Sequence, residues 1–290
     1  LDVLAHSSLD TPDAVRNKQR TKMNSLHGCT ALITGASSGI GAEMARQLAP
    51  HARALVLVAR RADRLDALKA ELERSGMAIQ CHAADLADGA QVERLLATLE
   101  ASGTKVDFLI NNAGVGDHGL FEESDWRRVQ AMLEVNIRAL TRLTHALLPG
   151  IVQSGRGAIL NVSSIAAYLP MPGLAVYAAS KAYVNSFTEA LRAELRGTGV
   201  AVSALCPGPV DTEFGAMAKR AGEPDTNPAP DFLKLPVERI VREGLRAVDR
   251  NRARAIPGVM LAALMFLAAL VPIFILRPFL GGRSRDGRTS

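Results

Sequence analysis

The sequence predicts an α/β protein: a doubly wound, mostly parallel seven-stranded sheet flanked by helices on both faces. Three observations predict it. Short runs of aliphatic and β-branched residues are continuously apolar, as strands covered on both sides must be. Each run is followed by a longer stretch with helical spacing, the signature of βαβ units. No internal repeat of 20–50 residues points to a solenoid or propeller instead.

The elements follow in order. Strand runs fall at residues 30–33, 54–58, 78–81, 108–110, 158–162 and 200–205. Helical spacing fills 40–48, 64–74, 91–101, 126–148 and 176–196. A further helix at about 237–249 leads to a seventh strand at 253–256, stopped by Pro257-Gly258. Residues 27–258 therefore read as one domain. Residues 1–26 read as a flexible extension with no apolar run for a signal-peptide core. Residues 213–236 carry Gly215, Gly222, Pro224, Pro228, Pro230 and Pro236, too many breakers for one long helix, and read as a flap over a substrate.

Composition narrows the class. The 290 residues are 48% apolar, 22% charged and 4% aromatic, which excludes a disordered or low-complexity chain. Three separated cysteines, Cys29, Cys81 and Cys206, form no CxxC and read as free thiols in a reducing compartment. The net charge of +5 is concentrated: residues 237–290 hold ten Lys/Arg against four Asp/Glu. A neutral body with few aromatics argues against a nucleic-acid surface. Six histidines stand without ligand spacing, so no metal site is expected.

The first strand runs into Thr34-Gly35-Ala36-Ser37-Ser38-Gly39-Ile40-Gly41 and then a helix. Glycines there allow a tight turn and let main-chain N–H groups approach a pyrophosphate. The spacing is GxxxGxG, and a steric turn would look similar. The second strand ends in Arg60-Arg61 rather than in an acid. Guanidiniums suit a ribose 2′-phosphate, so NADP(H) is favoured over NAD(H), with Arg60 as the expected contact. The alternative is a solvated basic corner in which Asp63 pairs with the arginines.

Tyr177 and Lys181 lie four residues apart on one face of a helix. A fixed cation near the phenol is expected to lower its pKa toward proton exchange at neutral pH. Ser164 ends a strand thirteen residues earlier, where ligands of open α/β sheets sit. Its hydroxyl would face a carbonyl oxygen that gains charge. Serine without a GxSxG turn or a placed His is no hydrolase nucleophile.

In one order, the chain holds the Gly-rich turn, Asn111-Asn112-Ala113-Gly114, Asn136, Ser164, Tyr177, Lys181 and Pro207-Gly208. Over about residues 28–258 this set resembles the short-chain dehydrogenase/reductase family. The resemblance implies a Rossmann-type fold and an oxidoreductase that moves a hydride between a nicotinamide and a carbonyl or secondary alcohol. It implies Tyr177 as general acid or base, Lys181 as its partner and ribose contact, Ser164 as carbonyl orienter and Asn136 in a proton relay. For the cofactor it implies Gly35, Ser37, Ser38, Gly39, Ile40 and Gly41 at the pyrophosphate turn. Asp85 and Leu86 would meet adenine, and Asn112, Ala113 and Gly114 the adenosine side. Pro207, Gly208, Val210 and Thr212 would flank the nicotinamide. A homodimer or homotetramer is implied as well. A non-catalytic NADP-binding sensor is the alternative, and a sugar-nucleotide epimerase would want a larger C-terminal domain.

Residues 259–276 are eighteen uncharged apolar positions between arginines 250, 252 and 254 and arginines 277, 283, 285 and 288. As one helix they would approach the ~30 Å hydrocarbon thickness, with a kink at Pro272. A membrane-dipping anchor, a dimer interface or lid, and a transmembrane helix all remain open. The anchor reading places a cytoplasmic protein at the membrane's cytoplasmic face, in contact through 259–280. Together with the apolar loop Ile165-Ala166-Ala167, Leu169 and Met171, it suggests a lipophilic substrate of steroid, retinoid or fatty-acyl kind.

Overall fold

The computed structural model describes residues 26–73, 77–220, 234–272 and Ile275. Seven strands form one sheet: β1 (Thr30–Thr34), β2 (Ala54–Ala59), β3 (Ala78–Ala83), β4 (Phe108–Asn111), β5 (Ala158–Val162), β6 (Ala201–Leu205) and β7 (Arg254–Ala255). They lie in the order β3-β2-β1-β4-β5-β6-β7, and every pair is parallel. The sheet is therefore wholly parallel, one step beyond the mostly parallel expectation.

Helices α1 (Gly39–Leu48), α2 (Ala62–Leu72) and α8 (Val237–Asp249) cover one face. Helices α3 (Gly89–Ala101), α5 (Leu140–Gln153) and α6 (Ala175–Glu194) cover the other. Side chains of β1 alternate between the two cores: Ala31 and Ile33 pack with Met44 and Leu245, Leu32 with Leu95 and Leu143. Two covered faces are the reason these strands read as continuously apolar. Leu26 is only 2% exposed and belongs to the first core, so the domain includes one residue before the expected boundary.

Three expectations change in detail. The single helix predicted over 126–148 is α4 (Trp126–Leu133), a π-helical turn (Glu134–Ala139) and α5. The wider turn interrupts the 3.6-residue period that sequence spacing assumes, and α5 continues through Pro149 at the loss of one main-chain donor. The predicted flap opens as the short helix α7 (Glu213–Ala218), while its remainder, 221–233, lies outside the described residues. The apolar run forms α9 (Val259–Leu270), twelve residues long, and stops before Pro272, which disfavours helix in the residue preceding it. At about 1.5 Å per residue α9 is ~18 Å long. No described helix is long and apolar enough to cross a membrane. The extension 1–25 and the tail 276–290 lie outside the described residues. All three cysteines are free thiols.

Candidate active site

Strand order reverses between β1 and β4, and the crevice beyond their carboxyl ends is where an open α/β sheet binds ligand. Both walls of the crevice are tied together. Thr34 Oγ1 accepts the Asn112 and Ala113 N–H groups at 3.0 Å each, and Asn112 Nδ2 donates to the Thr34 carbonyl at 2.9 Å and the Gly35 carbonyl at 3.2 Å. A Cβ at Gly41 would lie 2.3 Å from the Gly35 carbonyl oxygen, so only glycine lets α1 approach this turn. Gly39 has φ +52°, and the nearest atom to a Cβ there is the Thr212 methyl at 3.3 Å.

The turn suits a polyanion. Ser38 stands at the N-cap of α1 in extended backbone and makes no side-chain cap bond, and the first turn holds no acid. Its main-chain donors therefore face outward beside the positive helix end. Ala36 is buried, whereas Gly35, Ser37, Ser38, Gly39 and Ile40 remain partly accessible. Arg61 reaches over this surface, donating to Ser37 Oγ at 3.2 Å and Ser38 Oγ at 3.0 Å. Arg60, the contact expected from sequence, is exposed at the strand end beside it. Successive residues leave a strand on opposite sides, so its neighbour turns inward. The acid that holds the basic corner is Glu213 of α7, paired with Arg61 at 2.8 Å and with Arg64, in place of the Asp63 considered from sequence.

At the end of β3, Asp85 Oδ1 accepts the Ala87 N–H at 3.0 Å, and the Asp85 N–H bonds Gln91 Oε1 at 2.9 Å. Leu86 is buried in the second core, so its side chain serves packing.

The catalytic candidates meet beyond β4 and β5. Asn136 sits in the π-helical turn, 1% exposed, and its amide is fully engaged: Oδ1 accepts the Val115 N–H at 2.9 Å, while Nδ2 donates to the Val115 carbonyl at 2.9 Å and to Ser180 Oγ at 3.0 Å. Lys181 is buried, and its ammonium donates to the Val162 carbonyl at 2.9 Å. Gly114 packs against both: a Cβ there would be 3.3 Å from Lys181 Nζ and 3.5 Å from Asn136 Oδ1. Of the two serines, Ser163 is buried and donates to the Lys181 carbonyl, whereas Ser164 is hydrogen-bonded to Tyr177. Ser164 also caps the 3-10 turn Ile165–Ala167 by accepting the Ala166 N–H at 3.1 Å. The Tyr177 ring lies 5.7 Å from Lys181 Nζ and 5.6 Å from the Phe214 ring.

Burial dominates the titration here. It pushes the Tyr177 phenol up to about 12, with the Ser164 hydrogen bond pulling the other way. The same desolvation brings Lys181 down to about 8. The expected depression of the phenol by the lysine is not seen: the ammonium is directed at the Val162 carbonyl, and burial sets the direction of both shifts.

The segment after β6 closes the site. The Pro207 carbonyl accepts the Ile165 N–H at 3.1 Å; Gly208 follows, partly accessible, and Val210 packs on the first core. Thr212 lies against Gly39 and caps α7. Phe214 also crowds Gly116, where a Cβ would meet its ring at 3.1 Å. Sequence reasoning missed Phe214, because only the tertiary fold brings α7 over the tyrosine. It also missed Asp117, which is 4% exposed and holds Arg220 at 2.6 Å and Arg128 at 2.9 Å, pinning the end of α7 to α4. A cross-strand row beneath the site escaped it too: Asn111 Nδ2 donates to Asn161 Oδ1 at 2.9 Å and to Thr144 Oγ1 at 3.0 Å, and Asn161 Nδ2 to Thr188 Oγ1 at 2.9 Å. Among the described residues no three His, Cys, Asp or Glu side chains converge on a metal position.

The sequence pattern of the family described as short chain dehydrogenase matches residues 29–223, about two thirds of the chain. The chain belongs to the short-chain dehydrogenase family. This short-chain dehydrogenase is 43% identical over 189 residues to a sulfoacetaldehyde reductase of Chromohalobacter salexigens, covering 63% of this chain and 72% of that one. A short-chain dehydrogenase from Sphingobium yanoikuyae, solved in complex with NADPH, superposes with TM-score 0.72 at 34% identity, covering 90% and 98% of the two chains. One from Burkholderia phymatum, solved in complex with NAD, gives TM-score 0.72 at 29% identity, covering 84% and 93%. The protein is accordingly an oxidoreductase acting on alcohol or carbonyl groups with a nicotinamide cofactor.

Proposed function

We propose that this short-chain dehydrogenase is an NADP(H)-dependent reductase of an apolar carbonyl compound. The observation that carries the reading is the meeting of two groups in one crevice: Arg61 over the uncapped start of α1, and Ser164, Tyr177 and Lys181 beyond β5. The arginine supports a 2′-phosphate, and the relative solved with NADPH agrees.

The cofactor supplies the hydride when bound. This chain's residues supply position and a proton. Gly35, Ser37, Ser38, Gly39, Ile40 and Gly41 hold the pyrophosphate; Asp85, Leu86, Asn112, Ala113 and Gly114 frame the adenosine half. Pro207, Gly208, Val210 and Thr212 flank the nicotinamide. Ser164 Oγ orients the substrate oxygen. Tyr177 Oη gives it a proton, which suits a phenol that burial keeps protonated. Lys181 and Asn136 lie behind Tyr177; the lysine's positive charge favours the phenolate left once the proton has gone, and a proton from solvent restores the phenol.

The substrate side is apolar. Phe214 packs on Tyr177 there, Met217 one turn further along α7 is exposed, and Arg128 and Arg220 near the end of α7 share the carboxylate of Asp117. The same reading gives a cytoplasmic homodimer or homotetramer whose α9 rests on a lipid surface. Leu261 and Met265 of α9 are buried against the fold, whereas Val259, Phe266 and Leu270 are 85%, 66% and 64% exposed. An interfacial helix keeps its apolar side in the headgroup boundary without spanning.

The test is turnover of NADPH and NADH with ketones and aldehydes graded from small and charged to long and apolar. NADPH-selective turnover that improves with chain length supports the reading. NADH preference, or selectivity for small anions, overturns it.

A further inference from the structure

Glu213 is the first residue of α7 and the only acid in that helix's first turn. Its two carboxylate oxygens are taken by different arginines, Oε2 by Arg61 Nη1 at 2.8 Å and Oε1 by Arg64. The two arginines hold the Glu213 carboxyl below the usual range, Arg64 contributing first. Arg61 uses its other nitrogen on Ser37 and Ser38 of the pyrophosphate turn. Hence one guanidinium joins the cofactor turn to the substrate flap, over 152 residues of sequence. The next residue, Phe214, packs on the Tyr177 ring, and the preceding one, Thr212, lies on Gly39.

A carboxylate in this position is an anion placed where the proposed function needs the anion to be a 2′-phosphate. The two cannot share the pair of arginines without like charges meeting, and a phosphate carries the larger charge. We propose that Glu213 is a cofactor-selectivity residue: it holds Arg61 and Arg64 against the flap until a 2′-phosphate displaces it. This inference rests on the NADP(H) reading. Displacement frees the first turn of α7, and with it the side of Tyr177 that Phe214 covers. A cofactor without the 2′-phosphate leaves the tie in place. Binding at the adenosine end is thereby linked to access at the substrate end, some length of cofactor away.

The ion pairs are more than a third exposed, so the effect is modest: about three- to tenfold in affinity. Calorimetric titration of NADPH, NADH, adenosine 2′-phosphate and adenosine 5′-phosphate into the wild type, Glu213→Gln and Arg61→Ala measures it. Glu213→Gln is expected to tighten NADPH and adenosine 2′-phosphate by that factor and to leave NADH and adenosine 5′-phosphate unchanged, with Tm unmoved. Arg61→Ala is expected to weaken the 2′-phosphorylated pair alone. NADPH binding that is unchanged or weaker in Glu213→Gln overturns the inference while Arg61→Ala still upholds the NADP(H) reading. If the wild type binds NADH as tightly as NADPH and Arg61→Ala alters neither, the reading itself fails, and the inference with it.

Discussion

The two ends of the site are held by different physics. Around β1, β4 and β5, polar side chains are largely buried and closely tied: Asn112, partly buried, bonds two carbonyls of the first turn, Asn136 makes three bonds, and Lys181 is fixed on Val162, while Asn111 Oδ1 alone among these is left without a partner. An unmade bond there would leave a dehydrated polar group, so the geometry is stiff. Around α7 the ties of Glu213 are exposed ion pairs and ring contacts, individually weak and easily exchanged. On the proposed function, the comparison puts chemistry on the stiff side and selectivity on the soft side. The buried Asp117 pair, which anchors the far end of α7, keeps the soft side from drifting away altogether.

The sharpest way to probe the stiff side is pH. Lys181 is charged below about 8 and loses its proton as pH rises through that value, because burial has lowered it. The phenol, at about 12, stays protonated over the same range. The kcat/KM for carbonyl reduction is therefore expected to be flat below pH 7 and to fall by about tenfold per unit above about 8. A profile flat to pH 9.5 would show that the lysine's charge does not matter to the proton donor.

A smaller effect marks the soft periphery. Phe266→Glu on the exposed face of α9 is expected to leave kcat/KM unchanged and stability within about 0.5 kcal/mol. Co-sedimentation with anionic lipid vesicles should drop. Equal vesicle binding by both proteins would remove the membrane contact from the account.

Much of the stiff side was legible in the sequence. Tyr177 and Lys181 share a helix face and Ser164 ends a strand, but such spacings are common by themselves; the three stood out through the order of all the motifs and their likeness to the family. The strands were legible because both faces are covered. What escaped depends on long-range packing. Arg60 and Arg61 are adjacent and alike, and the sequence alone does not say that Arg61 is the one bonded to Ser37 and Ser38. Glu213 looked like an ordinary flap residue because its partners lie about 150 positions earlier. The π-helical turn at Glu134–Ala139 carries no period of its own to read, although Asn136 was picked out by its place in the motif order. The eighteen-residue apolar run looked long enough to approach a membrane's thickness, with a kink at Pro272; the described helix α9 ends at Leu270, ahead of the proline, and Ile275 beyond it is again helical.

The central claim is that Tyr177 Oη delivers the proton in an NADPH-dependent reduction. The direct measurement is single-turnover oxidation of bound NADPH with an apolar ketone, for the wild type and Tyr177→Phe, alongside NADPH affinity for each. The account predicts a loss of about 10²- to 10⁴-fold in rate with affinity within twofold. A Tyr177→Phe protein that turns over within tenfold of the wild type would contradict it.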